Sequence, residues 1–467
     1  MPVPDDAYAA IAAPESLTTP VGTFDFVDGV PTADSLDRLY DAADLITAVQ
    51  VYLATMPGVS LAAMREGVRS VGVTDAQHVG ITVPRANSAS LYLTANTDTT
   101  YAHTFLDLAS NGPTVIEAPP NSLCVVDDFW FRYITDMGVT GPDGGAGGKY
   151  LFLPPDFEGA DPPGYHVFRS PTYTIWAVFR ALDGVEGIKR VAVYPLAAED
   201  PPETVFIDIA DSPHSTVHPN DASFYDEIDA IVQEEPIDSL DPERRGLLAA
   251  IGIVKGHPFE PDERMRRILA NAAPLAAGIA RAIAFRPRDP EAYYYPGSSW
   301  KRIFVGGSHE FLRDGARLLE ARTLFHFLAT VVTPAMTSTT PGVGSQYAYT
   351  AEDGAGEWLD GGRSYRLRLP AGVPATDFWS VTVYDCQTRS LLRTDDPYPS
   401  VSSLSGDVQA NEDGSIDVHF GPTAPNAPTT NWIQTVPGKG WFVVLRLYGP
   451  LASWFDGSWR PGEIEAE

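Results

Sequence analysis

Tyr101-Ala102-His103-Thr104-Phe105-Leu106-Asp107-Leu108, Thr114-Val115-Ile116-Glu117-Ala118 and Leu123-Cys124-Val125-Val126 follow one another in close succession. Each run is short and rich in aromatic and β-branched residues, and Asn, Gly, Pro and Asp fall between them, which predicts strands separated by turns. The same reading extends downstream to residues 129–135, 150–153, 166–169, 173–180 and 191–194, and upstream to 91–94. Strands so closely spaced leave no room for the crossover helices of a parallel sheet. Residues from about 78 to 210 therefore predict an antiparallel β-sandwich or open barrel.

Outside this block the period changes. Leu36, Leu39, Ala43, Ile46, Val49 and Leu53 recur at helical spacing, predicting a helix over 32–56 that Pro57-Gly58 stops, then a short helix at 60–68. Residues 222–285 return to helix, with Asp241-Pro242-Glu243 and Pro261-Asp262-Glu263 as start signals, and 308–330 predict one more. Strands resume at 346–350, 364–369, 378–385, 416–420 and 441–448, with Gly361-Gly362 and Asp413-Gly414 as turns. The expected fold is mainly β with helical additions (α+β). It comprises an N-terminal helical segment at 1–75, a first β-sandwich at 76–215, a helical middle segment at 216–335 and a second β-sandwich at 336–467.

The 467 residues carry 61 acidic and 32 basic side chains, a net charge of -29. So acidic a surface repels phosphate backbones and anionic headgroups, so neither nucleic acid nor a membrane is an expected partner. A small molecule is. The two cysteines, Cys124 and Cys386, make neither a disulfide framework nor a metal knuckle and read as reduced, partly buried thiols. The first residues show no basic or apolar region of a signal peptide, and no run approaches the ~18 apolar residues of a membrane span, so a cytoplasmic location is expected.

Several motifs invite a chemical reading. Gly141-Pro142-Asp143-Gly144-Gly145-Ala146-Gly147-Gly148-Lys149-Tyr150 fails as a phosphate loop, because Asp143 stands where the first glycine belongs and Tyr150 where the magnesium-binding hydroxyl belongs. It reads as a glycine-rich hairpin. Asn96-Thr97-Asp98-Thr99-Thr100-Tyr101 places a carboxylate and a phenol between two strands, either as acid and base or as an Asx-type turn. In 127–136, strand alternation puts Asp128, Trp130 and Arg132 on one face, suited to a polar ligand with a ring, or to an ion pair in solvent. Residues 378–385 add Tyr384 and Asp385. The nine histidines form no metal motif, no nucleophile elbow is present, and no cofactor is predicted.

Taken together, Asn96-Thr97-Asp98-Thr99-Thr100-Tyr101, the run from Asp136 to Pro155, the run from Gly252 to Asp262, the run from Leu369 to Trp379, the run from Asn431 to Gly440 and Arg446-Leu447-Tyr448-Gly449-Pro450 resemble a bacterial two-domain family. Its halves are the domains of unknown function 1254 and 1214. The resemblance implies two jelly-roll-like β-domains with helical additions and a homo-oligomer, and brings no settled catalytic set. On the residues, the leading expectation is an enzyme acting by acid–base hydrolysis or elimination on a polar, hydroxylated or carbohydrate-like substrate. Asp98 would be the base, Tyr101 the proton donor and Arg132 the anchor, with Asn96, Asp128, Trp130, Tyr384 and Asp385 as binding residues. A lectin-like or scaffold protein and a metal-dependent oxygenase or hydrolase on a jelly roll are the alternatives.

Overall fold

The computed structural model describes residues 5–425 and 429–467; residues 1–4, part of the N-terminal reading above, lie outside them. Contacts divide the chain into two units, each drawn from separated stretches of sequence. One holds residues 1–54, 219–233 and 240–279, and the other residues 55–218, 234–239 and 280–467. Both predicted β regions thus fall in the second unit.

The first unit is mainly helical. Tyr52 stacks on Phe224 at 3.9 Å between ring centroids, and the Tyr225 hydroxyl donates to the Ala48 carbonyl at 3.0 Å. Asp241 caps its helix as expected, accepting from the Arg244 amide at 3.0 Å. The N-terminal segment is not helical throughout: Ser16–Thr19, Gly22–Val27 and Val30–Pro31 form a small antiparallel sheet.

The second unit contains two sandwiches, each a large sheet on a small one. The first has a six-stranded sheet in the order Val205–Asp208, His78–Ile81, Ala102–Asp107, Thr174–Phe179, Leu123–Asp128, Tyr133–Gly138. Its four-stranded partner runs His166–Arg169, Gly148–Leu153, Thr114–Ala118, Ala192–Pro195. Alternate residues from both sheets, among them Leu106, Ile116, Val126, Phe152, Ala177 and Val193, meet in one core. The second sandwich pairs a five-stranded sheet, centred on Trp441–Pro450 and Ala375–Asp385, with a four-stranded one. Leu367, Val381, Val383, Val418, Val443 and Leu445 fill its core. The fold is a mixed α+β one, mainly β. Its sheets are mostly antiparallel, with three parallel pairs at edges among the described residues: His166–Arg169 on Gly148–Leu153, Val205–Asp208 on His78–Ile81, and Trp432–Gln434 on Ile416–Gly421.

Four local expectations are corrected. Residues 33–69 form one helix, Ala33–Arg69, with Pro57 inside it. Buried Met56, Val59, Leu61 and Met64 anchor the second half, and tertiary packing outweighs the lost backbone bond. The helix predicted at 308–330 begins only at Leu319; before it, Leu312–Arg313 and Ala316–Arg317 form a hairpin. Asp314 and Gly315, at φ 51° and 78°, make its tight turn. Residues 91–94 form no strand, and Leu91 only bridges Ser215. Finally, the helices Ala33–Arg69 and Glu263–Phe285 are long and apolar enough to cross a membrane by length and composition alone, with 61% and 44% of their most apolar windows buried within the protein.

Candidate functional site

A strand's two faces alternate, and in the two large sheets both faces are covered. Ala102, Val126, Ala177 and Phe179 point to the first sandwich core, while His103, Leu123, Val125, Val178 and Arg180 line a cavity on the opposite face. In the second sandwich, Val443, Leu445 and Leu447 are core, and Val444, Arg446 and Tyr448 line the same cavity. The outer faces of the two large sheets therefore share one space, of about 460 Å³. That volume is within the range of small-molecule sites.

The loop 82–101 contributes Tyr92, Asn96 and Tyr101 to the wall. Its conformation depends on the second sandwich. The Tyr384 hydroxyl donates to the Ala95 carbonyl at 2.6 Å, Arg446 Nη2 to the Thr94 carbonyl at 2.8 Å, and Asn96 Nδ2 to the Tyr448 hydroxyl at 2.5 Å. Asn96 Oδ1 accepts from the Asp98 amide at 2.7 Å, so the Asx-type turn is present, and its amide also faces the site.

Two arginines line the cavity without a carboxylate partner among the described residues. Arg180 is half-buried, its side chain makes no hydrogen bond to a described residue, and its guanidinium lies 5.5 Å from the Tyr448 ring centroid. Burial opposes its charge, but Tyr101, Tyr448, Tyr347 and the exposed Asp377 outweigh burial and hold its pKa above the usual value. Arg446 is buried at 4% exposure, and its Nη1 has no partner among the described residues. Burial again opposes the charge, and the phenol oxygens of Tyr384 and Tyr448 again prevail. Leu93, Val331, Met336, Val343 and Val444 supply an apolar wall.

Two further groups are poised by burial. Asp136 lines the cavity, accepts from Thr333 Oγ1 at 2.8 Å, and has its pKa raised to about 6. His103 Nδ1 lies 3.1 Å from Trp176 Nε1, which can only donate, so the ring proton sits on Nε2. Burial, and then neighbouring His214, lower the His103 pKa to about 3.

The structure divides the residues expected from sequence. Asn96 and Tyr101 are on the cavity wall. Asp98 is half-buried beside it: it acts electrostatically on Tyr384 and Tyr448, and its Oδ2 has no partner among the described residues. Tyr384 braces the loop from behind. Asp385 instead accepts from Lys439 Nζ at 2.5 Å and from the Gln387 amide at 2.6 Å. Asp128, Trp130 and Arg132 do not share a strand face, because residues 129–132 are a turn with Phe131 at φ 54°. Asp128 Oδ1 accepts the Trp130 and Arg132 amides at 2.8 and 2.9 Å, and Arg132 Nε pairs with Oδ2 at 2.5 Å. Trp130 is buried and donates to Ser239 Oγ at 3.2 Å. The glycine-rich run is likewise not a hairpin: it crosses from one sheet to the other, wrapped around Asp143, which accepts from the Gly138 and Gly147 amides and the Tyr150 hydroxyl.

Sequence reasoning missed Arg180, Arg446, Tyr347, Tyr448, His103 and Asp136. One signal was available: Arg446 is the sole charge in Trp441–Pro450, ten consecutive buried residues. A charge inside such a run needs a partner, a ligand or water.

Residues 78–195 match the family model described as a protein of unknown function, DUF1254, and residues 344–452 match that described as a protein of unknown function, DUF1214. The chain thus carries a DUF1254 segment followed by a DUF1214 segment. The cavity draws on both: Tyr92, Asn96, Tyr101, His103 and Arg180 come from the DUF1254 segment, and Tyr347, Arg446 and Tyr448 from the DUF1214 segment. No curated protein matches the chain. Among solved structures, the VPA0106 protein from Vibrio parahaemolyticus is similar at 17% identity, with 91% of this chain and 100% of that one covered and a TM-score of 0.53, which shows a shared fold. An uncharacterized protein from Burkholderia cenocepacia matches at 13% identity over 91% of this chain and 94% of its own, with a TM-score of 0.41.

Proposed function

We propose that this DUF1254–DUF1214 protein binds a small carboxylate with an apolar body in the cavity and acts on it by acid–base chemistry. One observation carries the reading: Arg180 lines the cavity as a cation with no carboxylate partner among the described residues, and Arg446 stands on the same wall with Nη1 unpartnered. Burying guanidinium charge costs free energy unless an anion or good acceptors offset it. A carboxylate meets a guanidinium in a bidentate geometry, and the phenols of Tyr101, Tyr347 and Tyr448 are placed to add hydrogen bonds. Asp377 offsets part of the Arg180 charge, which favours a monoanion over a dianionic phosphate ester. Relative to the expectation from sequence, the acid–base class is kept. The anchor moves from Arg132 to Arg180 and Arg446, and the substrate gains a charge.

The test is a thermal-shift and calorimetric panel of straight-chain and phenyl-substituted monocarboxylates of four to ten carbons, each against its neutral primary amide. The expected result is stabilisation by a subset of the acids and little by their amides. Equal stabilisation by acids and amides, or none by either, overturns the reading.

A further inference from the structure

Two imidazoles stand on the cavity wall with opposite hydrogen-bonding roles already fixed by their surroundings. His103 Nδ1 accepts the Trp176 indole proton at 3.1 Å, which leaves Nε2 carrying a hydrogen. No described residue accepts that hydrogen. His214 Nδ1 lies 2.7 Å from the Ser212 carbonyl, which can only accept, so Nδ1 donates and Nε2 is left as a bare lone pair. His214 Nε2 is buried and has no partner among the described residues. Both rings line the cavity, and burial disfavours the charged form of both, so both are neutral at pH 7.

A donor and an acceptor on the wall of one cavity, one on each of two neutral rings, match a hydroxyl, whose single oxygen can accept and donate at once. A hydroxyl accepts one hydrogen bond and donates another. A bare carbonyl or ether would satisfy His103 and leave the His214 lone pair buried without a proton, and a methylene would leave both unpaired. Unmade buried hydrogen bonds are costly, so the pair discriminates rather than merely tolerates.

We propose that His103 and His214 form a hydroxyl-binding subsite, so that the cavity's ligand is a hydroxylated acid whose hydroxyl accepts from His103 Nε2 and donates to His214 Nε2. This rests on the carboxylate reading for the acid half of the ligand and on the two histidines for the hydroxyl half. The anchors are different: the acid goes to Arg180 and Arg446, and the hydroxyl to the histidine pair. Neither ring changes protonation on binding, so this is a specificity device and requires no chemical step.

The experiment is a two-by-two calorimetric comparison on the wild-type chain, using 3-phenylpropionate, 3-phenylpropanamide and the 3-hydroxy-3-phenyl derivative of each. The expected result is about tenfold tighter binding of each hydroxylated compound than of its parent, on top of a preference for acid over amide. The hydroxyl advantage should disappear in His214→Leu while the acid preference stays. Equal affinity for hydroxylated and parent compounds overturns the subsite even where acids are preferred. Loss of the acid preference with the hydroxyl advantage intact overturns the carboxylate reading alone. Side-chain 15N spectra of the wild type supply a check that needs no variant: they should show the proton of His103 on Nε2 and that of His214 on Nδ1, and the opposite tautomer at either ring overturns the proposal.

Discussion

Asn96 and Tyr448 are 352 residues apart in sequence and joined by a 2.5 Å hydrogen bond from the amide nitrogen to the phenol oxygen. That bond ties the long loop of the DUF1254 segment to the outer face of the main strand of the DUF1214 segment. The same loop also receives Tyr384 and Arg446 from the second sandwich. The cavity is therefore assembled by long-range contacts, and its wall should respond to any one of them.

Replacing Asn96 with Ala removes both the turn acceptor and the donor to Tyr448. We expect a loss of about 1–3 kcal/mol in urea unfolding, with faster amide exchange concentrated in residues 82–101. Exchange unchanged in that loop would mean that the bond does not hold it.

Asp128 should prove structural. It satisfies two turn amides and Arg132, so Asp128→Ala is expected to cost about 2–4 kcal/mol of stability by leaving buried donors unpaired. Arg132→Met should leave carboxylate affinity within a factor of about two, since Arg132 is not on the cavity wall. A larger fall in affinity on calorimetry would restore Arg132 as an anchor.

Gly58→Ala tests why the helix continues past Pro57. In an exposed helix this change gains up to about 1 kcal/mol. Here a Cβ would come within 2.6 Å of the Trp130 ring, so the sign should reverse, to a loss of about 1–3 kcal/mol in thermal or denaturant unfolding.

Glu235 gives stability a pH dependence. Burial raises its carboxyl to about 7, against the hydrogen bonds it accepts from the Tyr173 and Thr174 amides. The folded state thus holds a proton that the unfolded state releases near pH 4.5, and stability falls as pH rises from about 4.5 to about 7. The slope integrates to roughly 3 kcal/mol, and Glu235→Gln should flatten that part of the curve. An unchanged slope in the variant would remove Glu235 as its source.

How much of this was legible beforehand depends on what alternation reveals. Runs such as Thr174–Phe179 and Trp441–Pro450 announce strands through their β-branched and aromatic residues, and the two sandwiches follow. Their second face was not legible. His103, Val178 and Val444 look like ordinary strand residues, and only pairing the two large sheets across one space turns their side of the strand into a wall. Asp128-Phe129-Trp130-Phe131-Arg132 misled for the opposite reason: its composition favours a strand, yet the Asp128 carboxylate offers the backbone a turn instead. Asn96 was singled out from its polar neighbourhood, but its partner lies in a distant segment that local sequence cannot supply. The hairpin at Asp314-Gly315 was missed although the dipeptide is a strong turn signal, because apolar spacing around it imitates a helix.

The central claim, that the cavity takes a carboxylate at Arg180 and Arg446, is tested most directly by comparing 3-phenylpropionate with 3-phenylpropanamide on the wild type and on Arg180→Met. The account predicts at least about tenfold tighter binding of the acid by the wild type, and near-equal binding of the two by the variant. Equal affinities in the wild type, or an acid preference that survives in Arg180→Met, would contradict it.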